Sequence, residues 1–426
     1  MKAVALGFAL AAMSAAALAQ QAPPPPPEMP PQLPVGTPGH TARPSTPPPF
    51  QSPAIGNGPW DIGTEKAKLH VEVVTKGLRR PWSLAFLPDG SLLVTERTGA
   101  LRHVVNGRLD PVAIAGLPPI NPSGIGGLMD LALHPHFADN RLIYLSYVKP
   151  SAQDSNHTTL AVLRARWDGG QQLADVEDVF VADAWYGKAP WPKRCCGQGP
   201  ASGSWGGRIA FGPDGKLFIA SGDRNYGEQV QLPSNHFGKI LRLNDDGTVP
   251  ADNPFVGKDG WKPEIWTLGH RNPLGLVVHD GTLWETEFGP RGGDELNRIE
   301  RGKNYGWIDV TQGYHYNAEA PAKGRKGVKG YTDPVIAWGP PSVNPGGFAF
   351  YDAGLFPAWA GNLLMAAMSR SLVRVEFDAA GKPTHQEQVL GEIGQRFRDA
   401  KVGPDGAIYL LTDEDDGALL KVTPGA

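Results

Sequence analysis

Gly207-Arg208-Ile209-Ala210-Phe211-Gly212-Pro213-Asp214-Gly215-Lys216-Leu217-Phe218-Ile219-Ala220 decides the fold of this chain. Apolar residues lead up to Phe211, Pro213-Asp214-Gly215 reverses the chain, and a second apolar run follows. Proline presets φ for the turn and glycine accepts positive φ, so this is hairpin chemistry. The same unit recurs over residues 82–96 around Pro88-Asp89-Gly90, and over residues 398–412 around Pro404-Asp405-Gly406. Weaker strand–loop–strand echoes run over residues 129–147, 274–287 (with an Asp280-Gly281 turn) and 347–375. Six related hairpins, spaced too far apart for one sheet, predict an all-β, six-bladed β-propeller. A sandwich with coincidental turns fits the repeated Pro-Asp-Gly units less well. Sustained helical periodicity is absent from the sequence.

The flanking segments have a different character. Met1-Lys2 precedes an Ala- and Leu-rich run that closes on Ala17-Leu18-Ala19. That pattern predicts a secretory signal peptide over residues 1–19, too short to span a membrane. Residues 20–58 are dominated by proline, including Pro23 to Pro27, and read as an extended tether with no core to bury. Residues 59–426 are then the propeller domain, with no integral membrane segment once the signal is removed, and the expected location is periplasmic or secreted. The formal net charge of −3, with no basic stripe, argues against nucleic acid or an anionic membrane as partner. The two cysteines are adjacent, Cys195-Cys196. Neighbouring Cα atoms lie about 3.8 Å apart, below the usual disulfide spacing. A strained vicinal disulfide, two thiols or an intermolecular bond are all open, and the vicinal bond is the expectation in an oxidising compartment.

In a propeller the residues ahead of each hairpin converge at one mouth. Gly289-Pro290-Arg291-Gly292-Gly293-Asp294-Glu295-Leu296-Asn297 and Gly302-Lys303-Asn304-Tyr305-Gly306-Trp307 bring glycine turns and adjacent carboxylates together. Carboxylates and turn carbonyls are the ligands a hard cation such as calcium takes; the plain alternative is a solvated inter-strand loop. Gly269-His270-Arg271-Asn272-Pro273 and Gln395-Arg396-Phe397-Arg398 precede two other hairpins. Arg396 and Arg398 are two apart on a strand and face the same way. Guanidinium binds carboxylate bidentately, so the pair suits a multiply anionic ligand, where surface ion pairs are the plain alternative.

These four segments resemble, in consistent order, the soluble quinoprotein sugar dehydrogenases, which include the PQQ-dependent glucose, aldose-sugar and sorbosone dehydrogenases. The resemblance implies a six-bladed propeller carrying PQQ and Ca2+, a small sugar substrate and an electron acceptor it does not identify. It implies oxidation of an aldose by hydride transfer to PQQ with calcium assistance. It assigns Arg271, Asn272 and Tyr316 to PQQ contacts, Arg396 and Arg398 to its carboxylates, and the Gly289 and Pro290 carbonyls to the calcium touching it. Glu295 and Tyr305 match ligands of a further, structural calcium. Three positions depart from the pattern. Ser204, in Ser202-Gly203-Ser204-Trp205-Gly206-Gly207-Arg208, stands at the place of the family's catalytic histidine. Serine is no base near neutral pH without an activating neighbour. Ile125 replaces a glutamine, and the family's PQQ-pairing lysine falls near Ser369, beside Arg370. Asp223 and His236 are expected to be structural or solvent-exposed, and His134 and His136 to be solvated in a turn. Ser204 leaves a second reading, a propeller that binds a sugar or protein ligand without the family's turnover. A calcium-dependent hydrolase is a third, because the fold hosts several chemistries.

Overall fold

The computed structural model describes residues 35–36, 52–122, 124–186, 203–316 and 320–426. The signal segment, most of the proline-rich segment and Cys195-Cys196 lie outside the described residues. Six sheets follow one another along the chain. The first blade is Pro81–Phe86, Leu92–Glu96, Ala100–Val105 and Arg108–Leu109, and the second is Leu128–Leu133, Leu142–Pro150, Thr158–Arg166 and Ala174–Val181. The third is Gly206–Phe211, Leu217–Ser221, Lys239–Leu243 and Ile265–Leu268, and the fourth is Pro273–His279, Thr282–Glu287, Asp294–Ile299 and Ile336–Trp338. The fifth is Pro345–Tyr351, Asn362–Ala367, Ser371–Phe377 and Pro383–Val389, with Val35–Gly36 added in parallel at its edge. The sixth joins both ends of the domain: Phe397–Val402, Ile408–Thr412 and Gly417–Pro424 continue into Lys68–Leu78 and Trp60–Gly63. Pairing of Gly417–Pro424 with Lys68–Leu78 closes the ring.

The first strand of each blade lines the axis and neighbours its equivalents in cyclic order. Two features recur in all six blades. Each inner strand opens with a bulge, at Pro81/Ser83, Leu128/Leu131, Gly206/Ile209, Pro273/Gly275, Pro345/Phe348 and Phe397/Asp399. In each blade, too, an N–H at the end of the second strand (within it at Val148, just past it in the other five) donates to the carbonyl just ahead of the first. These bonds run Arg97 to Arg80, Val148 to Gly127, Gly222 to Trp205, Phe288 to Asn272, Met368 to Asn344 and Asp413 to Arg396, at 2.7–3.2 Å. Bulges re-aim side chains where pairing ends. Here they turn the residues flanking each inner hairpin toward the same mouth.

Trp82, Met129, Trp205 and Leu274, from four successive blades, are buried in one cluster. Burying each such side chain stabilises the ring by roughly 1.5–3 kcal/mol. At the axis stands Arg208 of the third blade, 2 % exposed. It ion-pairs with Asp130 of the second blade at 3.2 Å and Asp399 of the sixth at 3.0 Å. Its Nε donates to the Leu274 carbonyl of the fourth at 2.7 Å, and its guanidinium lies 4.2 Å over the Trp82 ring of the first. A Cβ at Gly347 of the fifth would collide with the Asp399 carboxylate and stand 2.5 Å from Arg208 Nη2. All six blades therefore meet at one guanidinium. Among the described residues no helix is long and apolar enough to cross a membrane.

Candidate active site

At the mouth of the sixth blade, Arg396 and Arg398 converge on Asp413. Arg396 Nη2 is 3.0 Å from Asp413 Oδ2 and Arg398 Nη2 is 2.9 Å from Asp413 Oδ1. Arg97 of the first blade adds a third guanidinium at 3.9 Å. Burial pushes the Asp413 carboxyl up, but Arg398, Arg396 and Arg97 outweigh it and hold it at about 2. Burial, and then the charge of Arg398, push Arg97 down to about 10. Burial lowers Arg370 as well, and the repulsion of Arg396 contributes, so Arg370 stands within electrostatic reach of this group. Three cations thus surround one carboxylate. Arg396 Nε is buried with no hydrogen-bond partner, a donor left over for an anion.

Blades three and four supply a second group. The Asp223 N–H donates to the Arg271 carbonyl at 2.7 Å. Asp223 Oδ2 accepts from Trp307 Nε1 at 2.7 Å and Oδ1 from the Asn225 N–H at 2.8 Å. Burial raises the Asp223 pKa against the pull of Arg271, and the Ser204 hydroxyl is among the groups that stabilise its charged form. The Arg271 guanidinium lies 5.5 Å over the Trp307 ring, donates to the Phe288 carbonyl at 3.2 Å, and keeps a buried Nε without a partner. Asn272 Oδ1 accepts from the Gly206 N–H at 3.1 Å. Ser204 Oγ donates to Asn225 Oδ1 at 3.1 Å. Ser204, Arg224 and Asn225 have φ of 52°, 52° and 59°, three left-handed non-glycine residues around one carboxylate. Such strain collects where a site is over-determined by its surroundings. Ile125 is 42 % exposed, and a Cβ at Gly203 would lie 3.9 Å from its Cδ1, so Ile125 edges the same rim.

The fourth blade also holds an acidic square. Glu287 pairs across the hairpin with Glu295, and Glu285 with Asn297, so these four side chains share one face. Carboxylates directly opposite each other repel. Burial raises Glu285 and Glu287, and raises Glu295 to about 7 and the neighbouring Asp294 to about 6. His270 Nδ1 lies 3.9 Å from Glu285 and 3.8 Å from Glu287, and burial pushes His270 down to about 3. His270 Nδ1, Glu285 Oε1 and Asn297 Oδ1 are buried without partners. Beside them a cavity of about 10 Å³, lined by Arg271, Glu287, Gly289, Gly293, Glu295 and Tyr305, has room for one water-sized ion. Gly289 turns tightly there, its N–H donating to Asp294 Oδ1 at 2.9 Å, and Pro290 is buried. The donor set is oxygen-rich and under-satisfied, which fits a hard cation. The orphaned Nε atoms of Arg271 and Arg396 fit a carboxylate-bearing cofactor equally well.

Arg271, Gly289, Glu295 and Tyr305 thus share one cavity. Arg208 links this side of the mouth to Arg398, whose carbonyl accepts from Arg208 Nη2 at 3.5 Å. The Tyr305 hydroxyl donates to the Arg298 carbonyl and accepts from the Glu300 N–H, which leaves its main-chain carbonyl as the atom it can offer a cation. Tyr316 is 46 % exposed and takes no part in these contacts. Of the two expectations for Asp223, structural or solvent-exposed, the second falls: it is a fully buried neighbour of Arg271 and Trp307. His236 is structural, bound to Glu264 at 2.7 Å. His134 is not solvated: it is 10 % exposed, 3.4 Å from Asp245, and stacks on Tyr144. Arg97, Asp413, Glu285 and Glu287 were not anticipated. The period-two pattern Glu285-x-Glu287 against Glu295-x-Asn297 across one hairpin was the available signal for the last two.

Known proteins carry the same frame. The glucose/sorbosone dehydrogenase family pattern matches residues 78–421. Aldose sugar dehydrogenase YliI of Escherichia coli K12 is 39 % identical over 363 residues, covering 84 % of this chain and 94 % of its own. Quinoprotein glucose dehydrogenase B of Acinetobacter calcoaceticus is 28 % identical, over 82 % of this chain and 87 % of its own. The apo crystal structure of the soluble Escherichia coli aldose sugar dehydrogenase superposes with a TM-score of 0.76 at 38 % identity, covering 84 % of this chain and all of that one (100 %). The PQQ-bound aldose sugar dehydrogenase of Streptomyces coelicolor superposes with a TM-score of 0.65 at 30 % identity, over 84 % and 99 %. With its six blades, its arginine-lined mouth and these relatives, the chain belongs to the glucose/sorbosone dehydrogenase family.

Proposed function

We propose that this protein is an exported, PQQ- and calcium-dependent dehydrogenase that oxidises an aldose and passes the electrons to an external acceptor. The observation that carries the reading is the surplus of buried cationic donors: three guanidiniums around Asp413, with Arg396 Nε and Arg271 Nε unpartnered. When bound, PQQ supplies a two-electron acceptor for hydride from the sugar carbon, and calcium a Lewis acid. The protein's part is to bind and orient. Arg396 and Arg398 clamp carboxylates, and Arg271 and Asn272 address the quinone end. The Gly289 and Pro290 carbonyls and the Glu285–Glu287–Glu295 face hold cations. Tyr316, 46 % exposed, would add a further cofactor contact.

The sugar hydroxyl must also lose a proton. Ser204 cannot take it unaided, but its hydroxyl stabilises the charged form of Asp223. Burial makes Asp223 a stronger base than an ordinary carboxylate. We assign Asp223 as the proton acceptor, with Ser204 Oγ relaying between it and the sugar. The test is to titrate the purified protein with PQQ in calcium buffer, following tryptophan fluorescence, and then to follow dye reduction with a panel of aldoses. Saturable binding with turnover is expected. No binding of PQQ would overturn the reading.

A further inference from the structure

One member of the buried group in the fourth blade offers nitrogen, whereas calcium takes oxygen. Among the described residues, His270, Glu285 and Glu287 bring ligand atoms within 4.8 Å of one another, and all three are buried. The backbone fixes them from two sides. Glu285 and Glu287 are two apart on the strand Thr282–Glu287 and share a face. His270 comes from the loop between the third and fourth blades. Its N–H donates to the Gly238 carbonyl at 3.2 Å, and its ring stacks on Tyr305 at 4.8 Å. A Cβ at Gly269 would collide with Asn304 Oδ1, so only glycine lets this loop pass.

The imidazole is oriented as a ligand. Thr267 Oγ1 lies 2.9 Å from His270 Nε2, whereas Nδ1 is buried with no hydrogen-bond partner. A proton on Nδ1 would have no acceptor, so the neutral ring carries it on Nε2 and donates it to Thr267. The Nδ1 lone pair then faces Glu285 and Glu287 at 3.9 and 3.8 Å. An outer partner on one ring nitrogen is how metal-bound imidazoles are held. These separations are too long for hydrogen bonds but fit two ligands of one ion, since bonds of about 2.0–2.2 Å put ligand atoms about 3–4 Å apart. The carboxylates are oriented too. Glu285 Oε2 accepts from Asn297 Nδ2 at 3.0 Å, which leaves Oε1 buried without a partner, and Glu287 Oε2 accepts from the Arg271 N–H at 2.7 Å. Lys239 is a cation whose charge reaches His270, but its ammonium is directed to the Val230 and Phe237 carbonyls, at 2.7 Å each. One imidazole and two carboxylates match a first-row divalent ion, whose charge the two carboxylates balance.

We propose that His270 Nδ1, Glu285 and Glu287 form a site for a first-row divalent transition ion of the zinc type, separate from the calcium expected at Glu295 and Tyr305. The ion would tie the loop carrying Arg271 and Asn272 to the second strand of the fourth blade. The inference rests on the reading of this face as a cation site, and not on PQQ binding or sugar oxidation. Its test uses the full-length, PQQ-free protein, stripped with a chelator and then saturated with calcium. Zn2+ is titrated in by equilibrium dialysis with metal analysis, and Co2+ is added in parallel and followed by visible absorption. A single zinc ion per chain should bind despite the calcium, and cobalt should show the intense bands of four- or five-coordination. Losing the outer partner of a ligand costs about 10- to 100-fold in metal affinity. Thr267→Val should weaken zinc by that factor and keep the calcium-induced rise in Tm, and Glu285→Gln, which loses a ligand, should weaken zinc at least about 100-fold. No zinc binding, displacement of zinc by calcium, or wild-type zinc affinity in Glu285→Gln would each overturn the site. If Glu285→Gln does not fold, the cobalt spectrum of the wild type decides, and bands no stronger than those of the aqua ion overturn it. A PQQ titration of the same calcium-loaded protein keeps the two readings apart: PQQ bound without zinc sinks the zinc site alone, and zinc bound without PQQ sinks the dehydrogenase reading alone.

Discussion

Asp413→Asn removes one charge from the centre of the arginine cluster while keeping the side chain's shape. Wild-type Asp413 is fully buried and held at about 2 instead of the ordinary 3.8. That difference is worth about 2.5 kcal/mol to the fold at neutral pH. Because the folded value is depressed, the contribution is complete above pH 4 and disappears only as pH falls through about 2. The variant also leaves Arg396 and Arg398 without their ion-pair partner. Removing one member of a buried pair raises the cost to about 3–5 kcal/mol. For a propeller of about 365 residues the unfolding entropy is roughly 0.8 kcal/mol/K, so Tm should drop by about 4–6 °C. Calorimetry at pH 7.5 and pH 5 should give the same gap at both. PQQ should then raise Tm more in the variant than in the wild type, because the cluster has gained one net positive charge. A Tm within about 1 °C of wild type would refute the charge balance inferred here, and a smaller PQQ-induced rise in the variant would refute the anion-binding role.

Three further outcomes are expected. Ser204→His places an imidazole where the resemblance implies the catalytic base, and histidine is among the residues that tolerate the left-handed φ of 52° found there; turnover should rise by about 10²- to 10⁴-fold, and an unchanged kcat would show that proton removal is not limiting. Asp223→Asn should cut kcat by at least about 10²-fold and leave the PQQ titration within about threefold of wild type, whereas parallel loss of binding would reassign Asp223 to a scaffold role. Burial raises Asp294 to about 6 and Glu295 to about 7, so their neutral forms favour the fold at low pH and that support is lost as pH rises through 6–7. Chelator-treated protein should therefore lose Tm between pH 5 and 8, and calcium should abolish the loss by binding the ionised carboxylates; a chelated protein equally stable at both pH values would argue against a cation site.

The blades were legible because a Pro-Asp-Gly turn states its own backbone requirements locally. The three strongest turns, at Asp89, Asp214 and Asp405, each join the first two strands of a blade. The closing strand Lys68–Leu78 was not, since its partner Gly417–Pro424 lies at the far end of the domain and nothing local names it. The same limit applied to the site. Arg396 and Arg398 stood out because strand spacing alone aligns them. Asp413 did not, because Asp413-Glu414-Asp415-Asp416 reads as a solvated acidic loop. In the fold Asp413 is 3 % exposed at its side chain while Asp415 is 67 % exposed. The Asp413 N–H bond to the Arg396 carbonyl and the ion pairs with Arg396 and Arg398 separate it from Asp415, which pairs with Arg80. The burial of Asp223 was illegible for a related reason: its partner Trp307 belongs to a later blade.

Arg208 has a consequence for traffic. With its guanidinium wedged between Asp130, Asp399 and Trp82, the axis is stoppered and the mouth becomes a cul-de-sac. A sugar, its oxidised product and the electron acceptor must then take turns at a single door. One reactant has to leave before the next can enter, so double-reciprocal plots at several acceptor concentrations should run parallel rather than cross.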